Sequence, residues 1–398
     1  MFGSMTTHTD TTADDRRIEN LSKLISDVCE VETWYRHGDR VSLTLAPRHL
    51  SSAVVSAILR DRLQTGGYTF SLTESVDRLV LSINPKPRLK IPTKNLILFF
   101  VTIATVYLFP VLMQNLTAVA YRMDQQGIAP SEDLAGYFSL IGTAFPIAWH
   151  DTLTDLRNGV GLVFTFAMIS ILLVHEMGHF WVSRRRGLAA TWPFFIPGPT
   201  IIGTFGAVIK SKSPIWNRRD LIELGAAGPI AGWVIAMGWL IYGLAHATPA
   251  NPDDAPVKAM GFFMQGESLI VRTLVPWLVG DVPQGFIYIF PEAAVAGWAG
   301  LLLTAMNLLP IGQLDGGHIV YGLVPDMQRK LAWVAMVGLF LLGTQSSIWW
   351  IYAFMGMAFG VAHPPTLQDH LPVDRKTTII GLTAIAILIL SFTPVPFR

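Results

Sequence analysis

The sequence predicts a polytopic α-helical membrane protein of about seven transmembrane helices, preceded by a small N-terminal α+β domain facing the cytoplasm. Three observations carry this. Only 14% of the 398 residues are charged and 51% are hydrophobic, against roughly a quarter charged in an average soluble chain. The charges crowd at one end: residues 1–94 hold 24 of the 57 Asp, Glu, Lys and Arg, leaving 33 for the other 304 positions. Beyond residue 95, apolar runs of about 20 residues recur, each long enough to cross a hydrocarbon core of about 30 Å. This composition excludes an ordinary cytosolic enzyme. A formal net charge of +1, with no basic run interleaved with aromatics, gives no basis for a nucleic-acid partner. The single cysteine, Cys29, excludes an intramolecular disulfide framework and a Cys-rich zinc cluster.

Residues 1–4, followed by a second methionine at Met5, read as a tag scar, and 1–13 as a disordered tail. Asp10, Asp14 and Asp15, with no apolar segment beside them, argue against a secretory signal or transit peptide, so the N-terminus is expected to stay in the compartment of synthesis. Residues 14–86 read as a soluble α+β regulatory domain. Ile18, Leu21, Leu24 and Ile25 recur at helical spacing, Val41, Leu43 and Leu45 alternate as a strand, and 50–63 predicts a second helix. Residues 68–72 and 79–83 predict a hairpin pair. His37 and His49 are isolated, and no catalytic constellation is visible. A stiff basic linker, 87–94, follows.

The remainder, 95–398, predicts spans near 95–114, 160–182, 221–245, 293–312, 330–344, 347–362 and 377–394. The fifth and sixth are short enough to form a hairpin that does not cross fully. Lys and Arg accumulate in cytoplasmic loops. Residues 86–94 carry four basic residues and no acidic one, whereas the loop 115–159 has Arg122 and Arg157 against five carboxylates. The loop 183–220 has seven basic residues against Asp220 alone. The N-terminal domain and the 183–220 loop are therefore expected in the cytoplasm, with the C-terminus outside.

Near the end of the second span stands His175-Glu176-Met177-Gly178-His179. Positions four apart share one helix face, so His175 and His179 suit one Zn²⁺, with Glu176 beside it as a candidate base. Chance alone yields H-E-x-x-H in such a chain about once in a hundred. At 1.5 Å per residue from Gly161, His175 lies roughly 21 Å into the bilayer, where ionisable groups cost several kcal/mol unless something uses them. A catalytic zinc site takes three protein ligands. Asn307-Leu308-Leu309-Pro310 through Leu314-Asp315-Gly316-Gly317-His318, at the cytoplasmic end of the fourth span, supplies Asp315 at similar depth. Pro310 and Gly312 break the helix, and Gly316-Gly317 allows two backbones to approach. His318 competes for the third ligand, with a supporting role beside Asp315 as the other reading. His150, His246, His363 and His370 fall in loops or at span ends, where interfacial placement accounts for them.

The two motifs together resemble the site-2 protease family of intramembrane zinc metalloproteases, over approximately 160–325. The segment Gly225-Ala226-Ala227-Gly228-Pro229-Ile230-Ala231-Gly232 adds a family-like intermediate motif. The form is most similar to the cyanobacterial and plastid branch and its archaeal relatives, without a periplasmic PDZ insertion. The resemblance implies one Zn²⁺ held by His175, His179 and Asp315, Glu176 as general base, and Asn307 in contact with substrate or transition state. It implies hydrolysis of a peptide bond in or beside a transmembrane segment of a protein or peptide substrate, as in regulated intramembrane proteolysis. Membrane lipid, a prokaryotic cytoplasmic membrane and a cytoplasmic regulator of the N-terminal domain complete the expectation. The alternative is a catalytically silent zinc-binding membrane scaffold, against which the intact Glu176 speaks. A multispan zinc protease with a Glu as third ligand is disfavoured by Leu314-Asp315-Gly316-Gly317.

Between the second and third spans, Thr191–Pro199 is apolar yet holds three prolines, and Ile201–Ile209 is β-prone. Such backbone reaches membrane depth only when buried in protein or lining a wet cavity. The segment is expected to be a re-entrant hairpin whose free edge, with Gly203, Phe205, Gly206 and Val208, pairs with an unwound substrate. The alternative is a plain interfacial loop.

Overall fold

The computed structural model describes residues 21–37, 40–65, 69–75, 78–84, 91–127, 134–186, 188, 190–211, 215, 217–251, 266–280, 284–366, 369 and 371–397. These fall into two compact units. One gathers the described residues of the first 90 with those of 183–190 and 211–213, and the other gathers the rest. The expected tail 1–13, Ile18, residues 87–90 of the basic linker and His370 lie outside the described residues.

In the N-terminal unit, helical residues 21–25 precede β1 (Cys29–His37), β2 (Arg40–Pro47), α1 (Ser52–Thr65), β3 (Thr69–Ser75) and β4 (Arg78–Asn84). The strands form one antiparallel sheet in the order β1-β2-β4-β3. Strand alternation buries Leu43, Leu45, Leu79, Leu81 and Ile83, and the four-residue repeat of Val55, Leu59 and Leu63 buries one face of α1. On the opposite parity Ser42 and Ser82, cross-strand partners, share a 2.8 Å hydrogen bond. The predicted helix 50–63, strand 41–45 and hairpin all have counterparts. Strand β1 was not expected: it is a polar edge strand whose alternation is broken by a register shift between Val31 and Thr33. Burial pushes the Cys29 thiol up to about 11, which leaves it protonated and inert at neutral pH. The guanidinium of Arg62, forked on Asp27 at 2.5 and 2.7 Å, holds that carboxyl below its ordinary value.

The second unit runs through α2 (Thr93–Gln125), α3 (Leu134–Arg157), α4 (Leu162–Arg185), β5 (Phe194–Pro197), β6 (Thr204–Val208) and α5 (Arg218–Leu244). There follow β7 (Thr248–Ala250), α6 (Leu269–Leu278), β8 (Ile287–Ile289), α7 (Glu292–Asn307), α8 (Asp315–Leu323), α9 (Pro325–Gly343), α10 (Ile348–Phe359) and α11 (Arg375–Ser391). Each of the seven predicted apolar stretches is helical. Among the described residues three helices, α2, α4 and α5, are long and apolar enough by length and composition to cross a membrane. Of the others, α7, α10 and α11 have 16, 12 and 17 residues, and the 19-residue α9 opens with Asp326, Arg329 and Lys330.

Two boundaries near the start of this unit differ from expectation. Helix α2 continues to Gln125 rather than ending near 114, and α3 occupies what read as loop in 115–159. The two are tied by polar side chains: Asn115 donates to Asp155 at 2.8 Å, and Arg122 pairs with Asp151 at 3.0 Å. Those polar groups kept the hydropathy of α3 below that of a span.

The core is assembled around a close crossing of α5 and α7. A Cβ on Gly243 would lie 2.1 Å from the Ala294 nitrogen, and one on Gly297 would lie 2.4 Å from the Leu240 nitrogen. Small residues let backbones approach where lipid supplies no hydrophobic drive for helix association. Gly243→Ala is therefore expected to destabilise the protein by about 1–3 kcal/mol through overpacking. Gly238→Ala, with nothing within 4 Å, is expected to leave stability unchanged or raised; thermal unfolding of the two variants in detergent checks the contrast.

Candidate metal centre

His175, Glu176 and His179 lie in the last three turns of α4, on a helix whose apolar first half packs into the core through Met168, Ile171 and Leu172. Facing them is α5, which starts at the cap Asn217, whose side chain accepts from the Asp220 nitrogen at 2.8 Å. Gly225, Gly228 and Gly232 recur three and four residues apart, on one face of α5. A Cβ on Gly228 would lie 2.1 Å from His179 Nε2, one on Gly232 3.0 Å from the His175 Cβ, and one on Gly225 2.9 Å from the Asp315 carbonyl oxygen. Gly178 of α4 answers from the other side, its missing Cβ 2.6 Å from the Ala227 carbonyl oxygen. The stripe is thus a groove that receives the histidines. Its spacing was visible in the sequence, but the partner it faces was not.

The third group arrives by a chain reversal. The fourth predicted span was expected to reach 312, but α7 ends at Asn307, and Pro310 then prevents resumption of the same helix. Gly312 adopts φ +51° and its nitrogen donates to the Val361 carbonyl at 2.9 Å. A Cβ on Gly316 would lie 1.8 Å from the Leu308 carbonyl oxygen, and one on Gly317 2.2 Å from that of Gly312. Only glycines allow this return, which makes Asp315 the first residue of α8.

His175 Nε2 and His179 Nε2 are 3.2 Å apart, and each is 3.4 Å from Asp315 Oδ2. Among the described residues this is the one cluster of three His, Cys, Asp or Glu side chains placed to hold a metal. Zinc bonds of about 2.0–2.1 Å in a tetrahedron place neighbouring donor atoms about 3.3–3.4 Å apart, so the triangle has the size that Zn²⁺ requires. His179 Nδ1 donates to the Leu224 carbonyl at 2.8 Å, leaving Nε2 bare toward the triangle, the usual support for a metal-binding imidazole. The donor set therefore fits one zinc ion.

Glu176 is 5% exposed, adjacent in sequence to His175. Asn307 Nδ2 is 3.4 Å from His175 Nε2. His318 turns elsewhere: its Nδ1 lies 2.6 Å from His363 Nε2. Asp315, not His318, is the group that stands in the cluster with His175 and His179, and His363, read as interfacial, meets His318 instead. His150 is exposed, and His246 packs on Tyr242.

The residues predicted to bind substrate lie on a different element. β5 and β6 form the expected hairpin, pairing Phe194 with Val208 and Pro197 with Thr204. Its base is held by Asn95, whose side chain donates to the carbonyls of Trp192 and Pro193 at 3.0 and 2.7 Å. Its turn reaches Gly203 (φ +76°), where a Cβ would lie 2.4 Å from the Thr105 oxygen and Val106 Cα. The hairpin therefore follows α2 for about ten residues, roughly 15 Å. Thr200 and Thr204 supply the hydroxyls that satisfy the turn: Thr200 donates to the Thr204 carbonyl, and Thr204 to that of Ile196. Phe205 and Val208 are 66% and 50% exposed, and Gly206 has φ +98° with open space around it.

Residues 163–344 match the family description Peptidase family M50. This stretch of the chain is similar to peptidase family M50. The matched stretch holds His175, Glu176, His179, Asn307 and Asp315, and the match accords with the site-2 protease resemblance of the motifs. The chain is 30% identical over 251 residues to "Probable zinc metalloprotease EGY2, chloroplastic" of Arabidopsis thaliana, covering 62% of this chain and 44% of that protein. It is 27% identical over 285 residues to "Probable zinc metalloprotease EGY1, chloroplastic" of the same plant, covering 70% and 47%. The chain thus spans less than half the length of these curated relatives. No solved structure gives a significant match.

Removing one donor or filling the groove tests the centre. Asp315→Ala is expected to abolish stoichiometric zinc, and Gly228→Ala to lower zinc content at least about tenfold by displacing His179. Metal analysis of purified protein checks both.

Proposed function

We propose that this chain is an intramembrane zinc metalloprotease, hydrolysing a peptide bond in or beside a transmembrane segment of a protein or peptide substrate. The observation that carries the proposal is the donor triangle of His175, His179 and Asp315 with the buried carboxylate of Glu176 next to it. Bound zinc supplies a Lewis acid that polarises the scissile carbonyl and acidifies water. Glu176 takes the proton from the attacking water and later delivers it to the leaving amine, as the carbon–oxygen bond forms and the carbon–nitrogen bond breaks. The Asn307 amide, beside His175, donates to the carbonyl oxygen as negative charge develops there.

The substrate must be extended locally, because helix hydrogen bonds otherwise enclose its amides. Strand β6 serves this by edge pairing, which recognises backbone irrespective of side chain. Its exposed Phe205 and Val208 support that role. The chain crosses the membrane with about seven helices, four of them short. The basic 183–220 loop and the N-terminal unit face the compartment of synthesis, the bacterial cytoplasm or the corresponding side of a plastid membrane, the relatives being chloroplastic proteins by name. Residues 14–86 regulate access or bind a partner on that side.

Glu176→Gln is expected to keep zinc and to lose cleavage of a model transmembrane substrate by at least about a hundredfold; a scaffold would keep its phenotype in a complementation assay with this variant. Val208→Pro is expected to reduce both cleavage and photocrosslinking of substrate to the hairpin, with zinc content unchanged, because proline cannot donate to a ladder. Unchanged crosslinking would exclude strand pairing.

A further inference from the structure

Helix α8, which begins with Asp315, has nine residues, too few to hold a position by its own helical stability. Its contacts with α5 involve Ile319 and Gly322 against apolar atoms such as those of Ile222. Such packing is non-directional and leaves sliding and rotation weakly opposed. Directional bonds come from the segment after α10, beyond the stretch that matches the family. His363 Nδ1 donates to the Pro364 carbonyl at 2.6 Å, so its Nε2 is an acceptor. His318 accordingly donates to it through Nδ1, at 2.6 Å. Two turns into α8, the Tyr321 hydroxyl donates to Asp369, which also accepts from Thr366. Gln328 of α9, 2% exposed, donates to the carbonyls of Pro310 and Val361 at 3.3 and 3.2 Å and accepts from the His363 nitrogen at 3.1 Å. Gly312, three residues before Asp315, is bonded to Val361 as well.

We propose that the segment from Val361 to Leu371, through its described residues, is a latch that positions Asp315. It grips the loop before Asp315 and the helix after it, so the carboxylate is held in register with His175 and His179. His363 and Tyr321 are positioning residues; neither belongs to the donor triangle. The latch rests on the reading of that triangle as the zinc site.

The test uses the full-length chain in detergent, stripped of metal and titrated with Zn²⁺ against a competing chromophoric chelator. His363→Leu is expected to weaken zinc binding about tenfold, the usual effect of losing an outer partner of a metal site. His363→Gln, which keeps an acceptor for His318, is expected to stay within about twofold of wild type. Tyr321→Phe, a change of one hydroxyl, is expected to weaken binding about threefold and decides the matter should His363→Leu fail to fold. The metal-free variants are expected to share the thermal midpoint of the metal-free wild type, which a merely structural role for these bonds would not allow. Wild-type affinity in Tyr321→Phe together with either wild-type affinity or failed folding in His363→Leu would overturn the latch, as would equal weakening by Leu and Gln. Failure of the wild type to bind more tightly than His175→Ala would overturn the metal centre itself.

Discussion

Three electron-rich atoms from two distant segments are held within 3.2–3.4 Å of one another, inside an apolar helical body. Bringing them together without a cation opposes both desolvation and the mutual repulsion of their lone pairs, and ionisable groups at membrane depth are costly when unused. The surrounding architecture can be understood as what makes that triangle possible. Glycines on α5 remove the side chains that would occupy the histidines' space, and Gly178 lets the two helices close. The reversal at Pro310–Gly317 aims Asp315 back toward α4. The Leu224 carbonyl fixes the proton of His179 away from the centre.

The same solvent dictates how the irregular backbone is treated. A hairpin running along a membrane helix cannot leave its polar groups bare. Here Asn95 satisfies carbonyls at its base, and the hydroxyls of Thr200 and Thr204 satisfy the turn. Within its two-stranded sheet β6 pairs with β5 alone, and its other edge is the one the proposed substrate pairing uses. The donor triangle and the hairpin thus belong to different elements, one set by helix packing and the other by strand pairing.

Much of this was legible before any coordinates. H-E-x-x-H and the Asn307-to-His318 segment announced a metal centre because ligand spacing on a helix and helix-breaking residues are local properties. The seven apolar stretches are all helices, since a run of apolar residues forms internal hydrogen bonds wherever water is absent. What escaped was of another kind. Strand β1 carries a polar pattern interrupted by a register shift, and α3 carries charges whose partners lie on α2. The early end of α7 at Asn307 reflects a turn whose hydrogen bonds close with Val361, far along the chain.

The amino-acid order alone pointed to the class of protein, the two histidine donors and the candidate base, because composition, periodicity and short spacings are written in consecutive residues. Tertiary structure decided that Asp315 rather than His318 completes the triangle, that Gly225, Gly228 and Gly232 line it, and that His363 belongs to the support of α8. Those outcomes depend on which helix faces meet and at what distance. That is settled by packing among segments remote in sequence, for which no local pattern exists.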